Sequence, residues 1–379
     1  MKVCFISPLG YGLYNRYSRY PFGGAEVQFY LLAQALAADP RFAVTVLTTV
    51  RDESGCEHHG LLTVVKRQGR GRLSSGGLRD YVAAFLDMRR QLRAIGADVY
   101  LHAGAGVEVG AYALICRLLR RRFIFVVASS ADLRWLNGQM RGPLSWLYAA
   151  GVRLADAVVC RSQEQLAWLR SRYGRAGTLI RTGHRVVEHP PERQAYPEKT
   201  TVLWVGRMHP LKQPEMFLNL AERLPKESCA MVIMRDPAHE HLLQALRTRA
   251  AALTNVTLHE DVPWNEMDAH FARAKLLVNT STYEGFPNTF VQAAMHGTPI
   301  LSWRVDPDGM LARHGIGICA YSSFDRLAAA AEELCASDVK RTELGSQAQA
   351  YARAHHDVNR SAEELKALVR ALVGGCESA

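Results

Sequence analysis

No run of apolar residues in this 379-residue sequence approaches the length of about 18 that a bilayer-crossing helix needs, so a membrane span is not expected. The first eight residues, Met1 to Pro8, hold one charge and a six-residue apolar stretch closed by proline, too short for the core of a signal peptide. Eight cysteines at 4, 56, 116, 160, 229, 319, 335 and 376 form no C-x-x-C pair, and no His or Cys set has zinc spacing. They read as small buried hydrophobes in a reducing compartment, which places the protein in the cytoplasm and predicts no metal site. No G-x-G-x-x-G follows the first apolar run, and G-x-x-x-x-G-K-[ST] is missing, which disfavours a dehydrogenase and a P-loop NTPase. Low-complexity tracts and solenoid-period repeats are absent too.

What is present is ordinary globular composition, 48% hydrophobic and 22% charged, in a chain long enough for two domains. Charge divides it unevenly. Residues 1–190 carry 26 basic and 13 acidic side chains, the remainder 20 and 23, so the net +10 belongs to the N-terminal half. Nearly all of that excess is arginine, as in Arg120-Arg121-Arg122 and the run from Arg67 to Arg72, which points to phosphate-bearing partners or an anionic membrane surface.

Short apolar runs predict strands over 3–7, 43–48, 61–66, 99–103, 123–128, 157–160 and 178–181, with helices over 25–38, 78–95 and 109–119 between them. Hydrophobicity that is continuous rather than alternating means burial on both faces, as in a parallel sheet. A polar segment with three prolines, 189–199, reads as the linker. Alternation then resumes, with strands over 202–205, 230–234, 256–259, 276–279 and 300–303 and helices over 215–223, 242–251, 265–274 and 289–296. The expected architecture is two doubly wound Rossmann-like domains facing across a cleft, 1–188 and 200–355. The C-terminal helix 356–379 is expected to pack back toward the first domain.

The most informative segment runs from Ser281 to Pro299: an apolar strand ends at Asn279, a glycine turn carries Glu284, and a helix opens near Asn288. Free N–H groups at such a helix start suit an anion, and a carboxylate one turn away suits sugar hydroxyls. As Glu284-x7-Gln292 it resembles the Glu-x7-Glu region of the retaining GT-B glycosyltransferases of family four. Three further motifs occur in that family's order: Gly23-Gly24-Ala25-Glu26, Val205-Gly206-Arg207-Met208-His209-Pro210-Leu211-Lys212, and Asp261-Val262-Pro263.

The resemblance implies transfer of a sugar from a nucleotide diphosphate donor to a hydroxyl of a glycan or lipid-linked acceptor, in surface polysaccharide or glycolipid assembly. No cofactor and no metal are implied. Arg207 and Lys212 would hold the departing diphosphate as fixed cations, Gly23 and Gly24 would present amides to it, and Glu284 would contact the transferred sugar. Val262, Gly285, Phe286, Asn288 and Thr289 complete the donor site, with Gln292 at the ribose in place of the usual glutamate. No histidine stands in the loop after 123–128, where many relatives have one; His102 is the nearest substitute as a catalytic residue, and Asp132 is the candidate for orienting the acceptor. The segment 133–148, with Trp135, Trp146, Arg134 and Arg141, is the candidate membrane contact. Rival readings are a catalytically silent nucleotide-sugar-binding protein and an epimerase or phosphorylase on the same architecture; no reading motif for nucleic acid is found.

Overall fold

The computed structural model describes residues 1–15, 20–51, 54–68, 77–134, 143–187 and 198–374. Most of the expected linker, together with Trp135 and Arg141, lies outside these residues. The chain divides into two compact units, Met1–Arg181 with Val358–Ala379, and Thr182–Asp357. Residues 182–184 fall in the second unit because they are tied to its last residues: His184 N donates to His356 O (2.8 Å), and His356 Nδ1 lies 2.7 Å from Thr182 O.

The first unit holds an eight-stranded sheet of β1 (Lys2–Ile6), β2 (Ala43–Val50), β3 (Gly55–His59), β4 (Leu62–Gln68), β5 (Val99–Ala103), β6 (Arg122–Val126), β7 (Ala157–Cys160) and β8 (Thr178–Leu179). Their spatial order is β3-β4-β2-β1-β5-β6-β7-β8, parallel except for the β3–β4 pair. The fully buried runs Val99–Leu101 and Phe123–Phe125 show why: a parallel sheet covered by helices on both faces needs apolar side chains at every position.

Two of those helices, Glu108–Leu118 and Pro143–Leu154, approach so closely that glycine is required where they touch. A Cβ on Gly151 would fall 2.5 Å from Gly110 N, and one on Gly110 would fall 2.3 Å from Leu147 O. The final helix, Val358–Gly374, buries the stripe Val358, Ala362, Leu365 and Val369 and packs on the helix Gly24–Ala37. Lys366 and Arg370 lie 3.5 and 3.8 Å from Asp39, and Ser361 Oγ donates to Arg181 O at 3.0 Å.

The second unit holds six strands, all parallel: β9 (Thr201–Arg207), β10 (Ser228–Met234), β11 (Val256–Glu260), β12 (Ala274–Asn279), β13 (Ile300–Ser302) and β14 (Gly317–Cys319). Their spatial order is β11-β10-β9-β12-β13-β14. Alternate residues enter separate cores: Val202, Trp204, Met231, Ile233, Leu276 and Val278 on one face, Leu203, Val232 and Leu277 on the other. At the N-terminal edge of this sheet Lys199 donates from Nζ to His296 O (2.9 Å), Ala274 O (3.2 Å) and Thr298 Oγ1 (2.7 Å). Burial pushes its pKa down to about 8. This arrangement leaves the strands' C-terminal ends, where polar groups are not consumed by the sheet ladder, as the place for chemistry.

Candidate functional site

Two neighbouring strands of the second unit, β9 and β12, release their loops side by side, and hydrogen bonds fasten one loop to the other. Trp204 Nε1, inside the core, donates to Thr280 Oγ1 (2.8 Å), whose hydroxyl donates to Lys212 O (2.6 Å). Thr282 gives both its N–H (2.8 Å) and its hydroxyl (3.1 Å) to Leu211 O. Between these clamps the chain makes a one-turn 3-10 helix, Pro210–Lys212, that ends on Gln213 in the left-handed region (φ 46°). Strain of that kind persists only where the surroundings enforce it. The clamped geometry brings Lys212 and Glu284, 72 positions apart, into a direct ion pair. Ser281 Oγ donates to the same Glu284 oxygen at 2.8 Å, so the carboxylate is oriented from two sides. Both partners keep some solvent contact, so an incoming anion and an incoming hydroxyl can each compete for its half of the pair.

Arg207 ends β9 opposite Met234 of β10 and lies 3.2 Å through Nε from Asp236 Oδ2. Asp236 is 8% exposed, caps the turn Pro237–His239 by accepting from Ala238 N (3.1 Å), and lies 3.3 Å from His239 Nδ1. Burial alone would raise its pKa; the Ala238 N–H, Arg207 and His239 outweigh that and hold the carboxyl below its ordinary range. The His239 ring meets His209 edge to face at 4.9 Å, and His209 Nδ1 accepts from Leu211 N at 3.2 Å. Asp236, His239 and the orientation of His209 are not visible in the sequence pattern. The one local signal is an aspartate directly before proline at the end of a buried strand, where a cap is expected.

The remaining donor-site candidates surround this edge in different ways. Asn288 and Thr289 open the eight-residue helix Asn288–Met295, whose N-cap, Pro287, supplies no capping side chain. Gly285 and Phe286 are buried, and the Phe286 ring packs in the core with its centroid 4.9 Å from that of His356, so its side chain supports the loop from beneath. Val262 packs beside Trp264 against the same core, after Asp261, which holds φ 49° and accepts from Arg235 N at 2.8 Å. Gln292 is 3% exposed, and its Nε2 has no hydrogen-bond partner, an unspent donor inside the protein.

First-unit candidates are spent on the fold. Gly23 N donates to Glu26 Oε2 (2.9 Å) in a capping box at the start of the helix Gly24–Ala37, so that amide is already engaged. His102, next to last in β5, is 7% exposed, lies against Tyr112 (5.0 Å) and contacts Ile6 O through Nδ1 at 3.4 Å. Burial pushes its pKa down against the opposing charge of Glu108, which keeps the ring neutral. Asp132 accepts from Ala128 N (2.8 Å) and Ser129 N (3.0 Å), and burial raises its pKa to about 6 despite these bonds. From the first turn of the helix Ser130–Arg134 it reaches back to hold the loop after β6, while Ser129 Oγ accepts from Ala131 N at 3.2 Å. The sequence also contains one Asp-x-Asp, Asp306-Pro307-Asp308; Asp306 accepts from Leu311 N (2.9 Å) as a local cap. Among the described residues no group of three His, Cys, Asp or Glu is placed to hold a metal, and no helix is long and apolar enough to cross a membrane.

Comparison with known proteins adds family and fold to this geometry. Residues 22–190 match the family model described as Glycosyltransferase Family 4, and residues 199–337 the model described as Glycosyl transferases group 1. Among solved structures, sucrose-phosphate synthase from Thermosynechococcus elongatus superposes with a TM-score of 0.80 at 18% identity, covering 99% of this chain and 100% of that one. WaaG, a glycosyltransferase involved in lipopolysaccharide biosynthesis, gives 0.70 at 16% identity over 98% and 100%. S. aureus MnaA, solved with UDP, gives 0.65 at 12% identity over 98% and 97%. These likenesses share the expected GT-B fold, two parallel-sheet α/β domains. No curated protein matches the chain in sequence.

Proposed function

From the premise that this chain belongs to the group 1 and family 4 glycosyltransferases, we propose that it moves a sugar from a nucleoside diphosphate donor to a hydroxyl acceptor, with retention at the anomeric carbon and without a metal. The observation that carries this reading is the pairing of Lys212 with Glu284 at the strand edge that also presents Arg207. Two fixed cations beside one oriented carboxylate match a donor with a charged diphosphate and a neutral, hydroxyl-rich sugar. On this reading the diphosphate takes Lys212 and Arg207, and Glu284, released from Lys212 and still held by Ser281, accepts hydrogen bonds from the sugar. As the bond between sugar and diphosphate breaks, negative charge grows on the leaving oxygens, and the cations stabilise it in the transition state more than in the ground state. Gln292, with its unspent amide N–H, is the ribose contact.

The acceptor is proposed to be a glycan or lipid-linked hydroxyl, in surface polysaccharide or glycolipid assembly. Support comes from an apolar groove of about 240 Å³ on the first unit, lined by Val82, Phe85, Leu86, Ala111 and Leu147, and from neighbouring Trp146, which is 79% exposed. The helix Leu78–Ile95, which forms one wall of the groove, carries Arg79, Arg89, Arg90 and Arg93 against Asp80 and Asp87, a net basic element that suits an anionic lipid surface at the cytoplasmic side. A thermal-shift panel of nucleotide sugars tests the donor, since a ligand at 100 times its Kd adds about 2.7 kcal/mol of stability. Release of nucleoside diphosphate from the donor that shifts the melting temperature then tests transfer. Tight binding without release would identify a silent binding protein, and an epimerised donor would identify an epimerase.

A further inference from the structure

The two histidines beside Arg207 have no part in the reaction described above, and their arrangement gives them one. Asp236 Oδ2 lies 3.2 Å from Arg207 Nε and 3.3 Å from His239 Nδ1. Both nitrogens are buried without an accepting atom. One carboxylate therefore faces two unspent donors at the edge where the diphosphate is placed. The titratable and charged groups facing the pair are Arg207 at the end of β9, Lys212 from the loop after it with its partner Glu284, and Asp236 from the loop after β10. With no anion bound, Arg207 is matched by Asp236 and Lys212 by Glu284, which leaves no net negative charge to hold a further proton. A bound diphosphate brings two or more negative charges to Arg207 and Lys212 and tips that balance negative.

We propose that binding of a nucleoside diphosphate takes up one proton from solvent onto His239, with Asp236 as the positioning residue that holds Arg207 and faces the new imidazolium. This rests on the donor reading above. His239 is the acceptor rather than His209 because His209 Nδ1 is already filled by the Leu211 N–H, while His239 stands beside Asp236. Two imidazolium rings with centroids 4.9 Å apart repel, so the pair takes up one proton and not two. The extra charge arrives only when phosphate is present, which places it where charge develops as the diphosphate departs.

Titration calorimetry with UDP, ADP and GDP at pH 7.5, in buffers of low and high ionisation enthalpy, measures proton uptake directly. For whichever diphosphate binds, the expected uptake is roughly half a proton or more, and markedly less for its monophosphate. His239→Gln should abolish the buffer dependence while binding persists, and His209→Gln should retain most of it. Asp236→Asn should weaken the diphosphate about 5- to 20-fold and the monophosphate little, a split that general loosening of the fold would not produce; melting temperatures of all three variants show that they fold. Diphosphate binding with equal enthalpies in the two buffers, or with undiminished uptake in His239→Gln, overturns the proposal and leaves the donor reading intact. Failure of all three diphosphates to bind removes the donor reading and this proposal together.

Discussion

Both units are parallel sheets wrapped by helices, and each presents polar residues at its strand ends, but they spend those residues differently. In the first, Gly23, His102 and Asp132 are engaged by a capping box, an aromatic wall and backbone amides. In the second, Arg207, Lys212 and Glu284 are engaged mainly with other charged side chains, each of which an incoming ligand can displace. Backbone partners belong to the fold, whereas ion pairs between loops are exchangeable. On the proposed reading, the exchangeable charges of the second unit carry the charged chemistry.

The sharpest way to break this contrast is to remove charges from the second unit. Arg207→Ala and Lys212→Ala should each lower turnover by roughly 10²-fold or more, because on the proposed reading each removes a cation that stabilises the departing diphosphate. Steady-state rates within threefold of wild type for both would end the assignment. Glu284→Gln comes next: it keeps the shape and the contact with Ser281 but loses the charge, and kcat should fall about 10-fold or more with donor KM changed less. Normal kcat would mean that the catalytic centre lies elsewhere. With protein cations doing this work, activity should also survive excess EDTA; complete loss restored by Mg²⁺ or Mn²⁺ would contradict a metal-free mechanism.

In the first unit the expected effects are on stability. Asp132 has a folded pKa of about 6, above that of an unfolded aspartate, so the folded form binds the proton more tightly between pH 4 and 6. Ionised Asp132 therefore costs stability at neutral pH, and the cost lifts as pH falls through 6. Asp132→Asn cannot titrate. Denaturant unfolding of both proteins from pH 7 to pH 4 should show wild type gaining on the variant by up to roughly 3 kcal/mol. A gap independent of pH would mean that the carboxyl titrates normally. His102, held neutral by burial, acts in the opposite sense: it lowers stability as pH drops below its unfolded pKa, equally in both proteins, and cancels from the difference.

The elements legible in the sequence were those whose burial is continuous. The runs 99–103 and 157–160 are strands over those residues because every position in them but the half-buried Ala103 is buried. Gly55–His59 is a strand that the pattern does not reveal, since an antiparallel edge strand needs no apolar run and here carries Glu57, His58 and His59. Gly317–Cys319 is too short to have a period. The helix Gln163–Tyr173 is marked mainly by its ends, the Ser162 cap and Gly174 in the left-handed region. At the site, the family resemblance of their motifs singled out Arg207, Lys212 and Glu284. Their partners were hidden, because the contact of Arg207 with Asp236 depends on β9 and β10 lying side by side, and no local pattern encodes strand register.

Gln292 offers the smallest and most discriminating effect. Its side chain is 3% exposed, with Nε2 unpartnered, so Gln292→Glu exchanges an unspent amide donor for a buried carboxylate oxygen. The free variant should lose about 1–3 kcal/mol of stability, the cost of an unsatisfied buried polar group. If ribose hydroxyls reach this position, the donor supplies the missing donors. The variant should then bind it several-fold more tightly, lowering KM with kcat little changed, because ribose contact is the same in ground and transition states. The two measurements move in opposite directions, a lower melting temperature without donor and a larger donor-induced rise. Simple damage to the core lowers both, so a variant with a lower melting temperature and a worse donor KM would show that the pocket is shaped around the amide and that the ribose lies elsewhere.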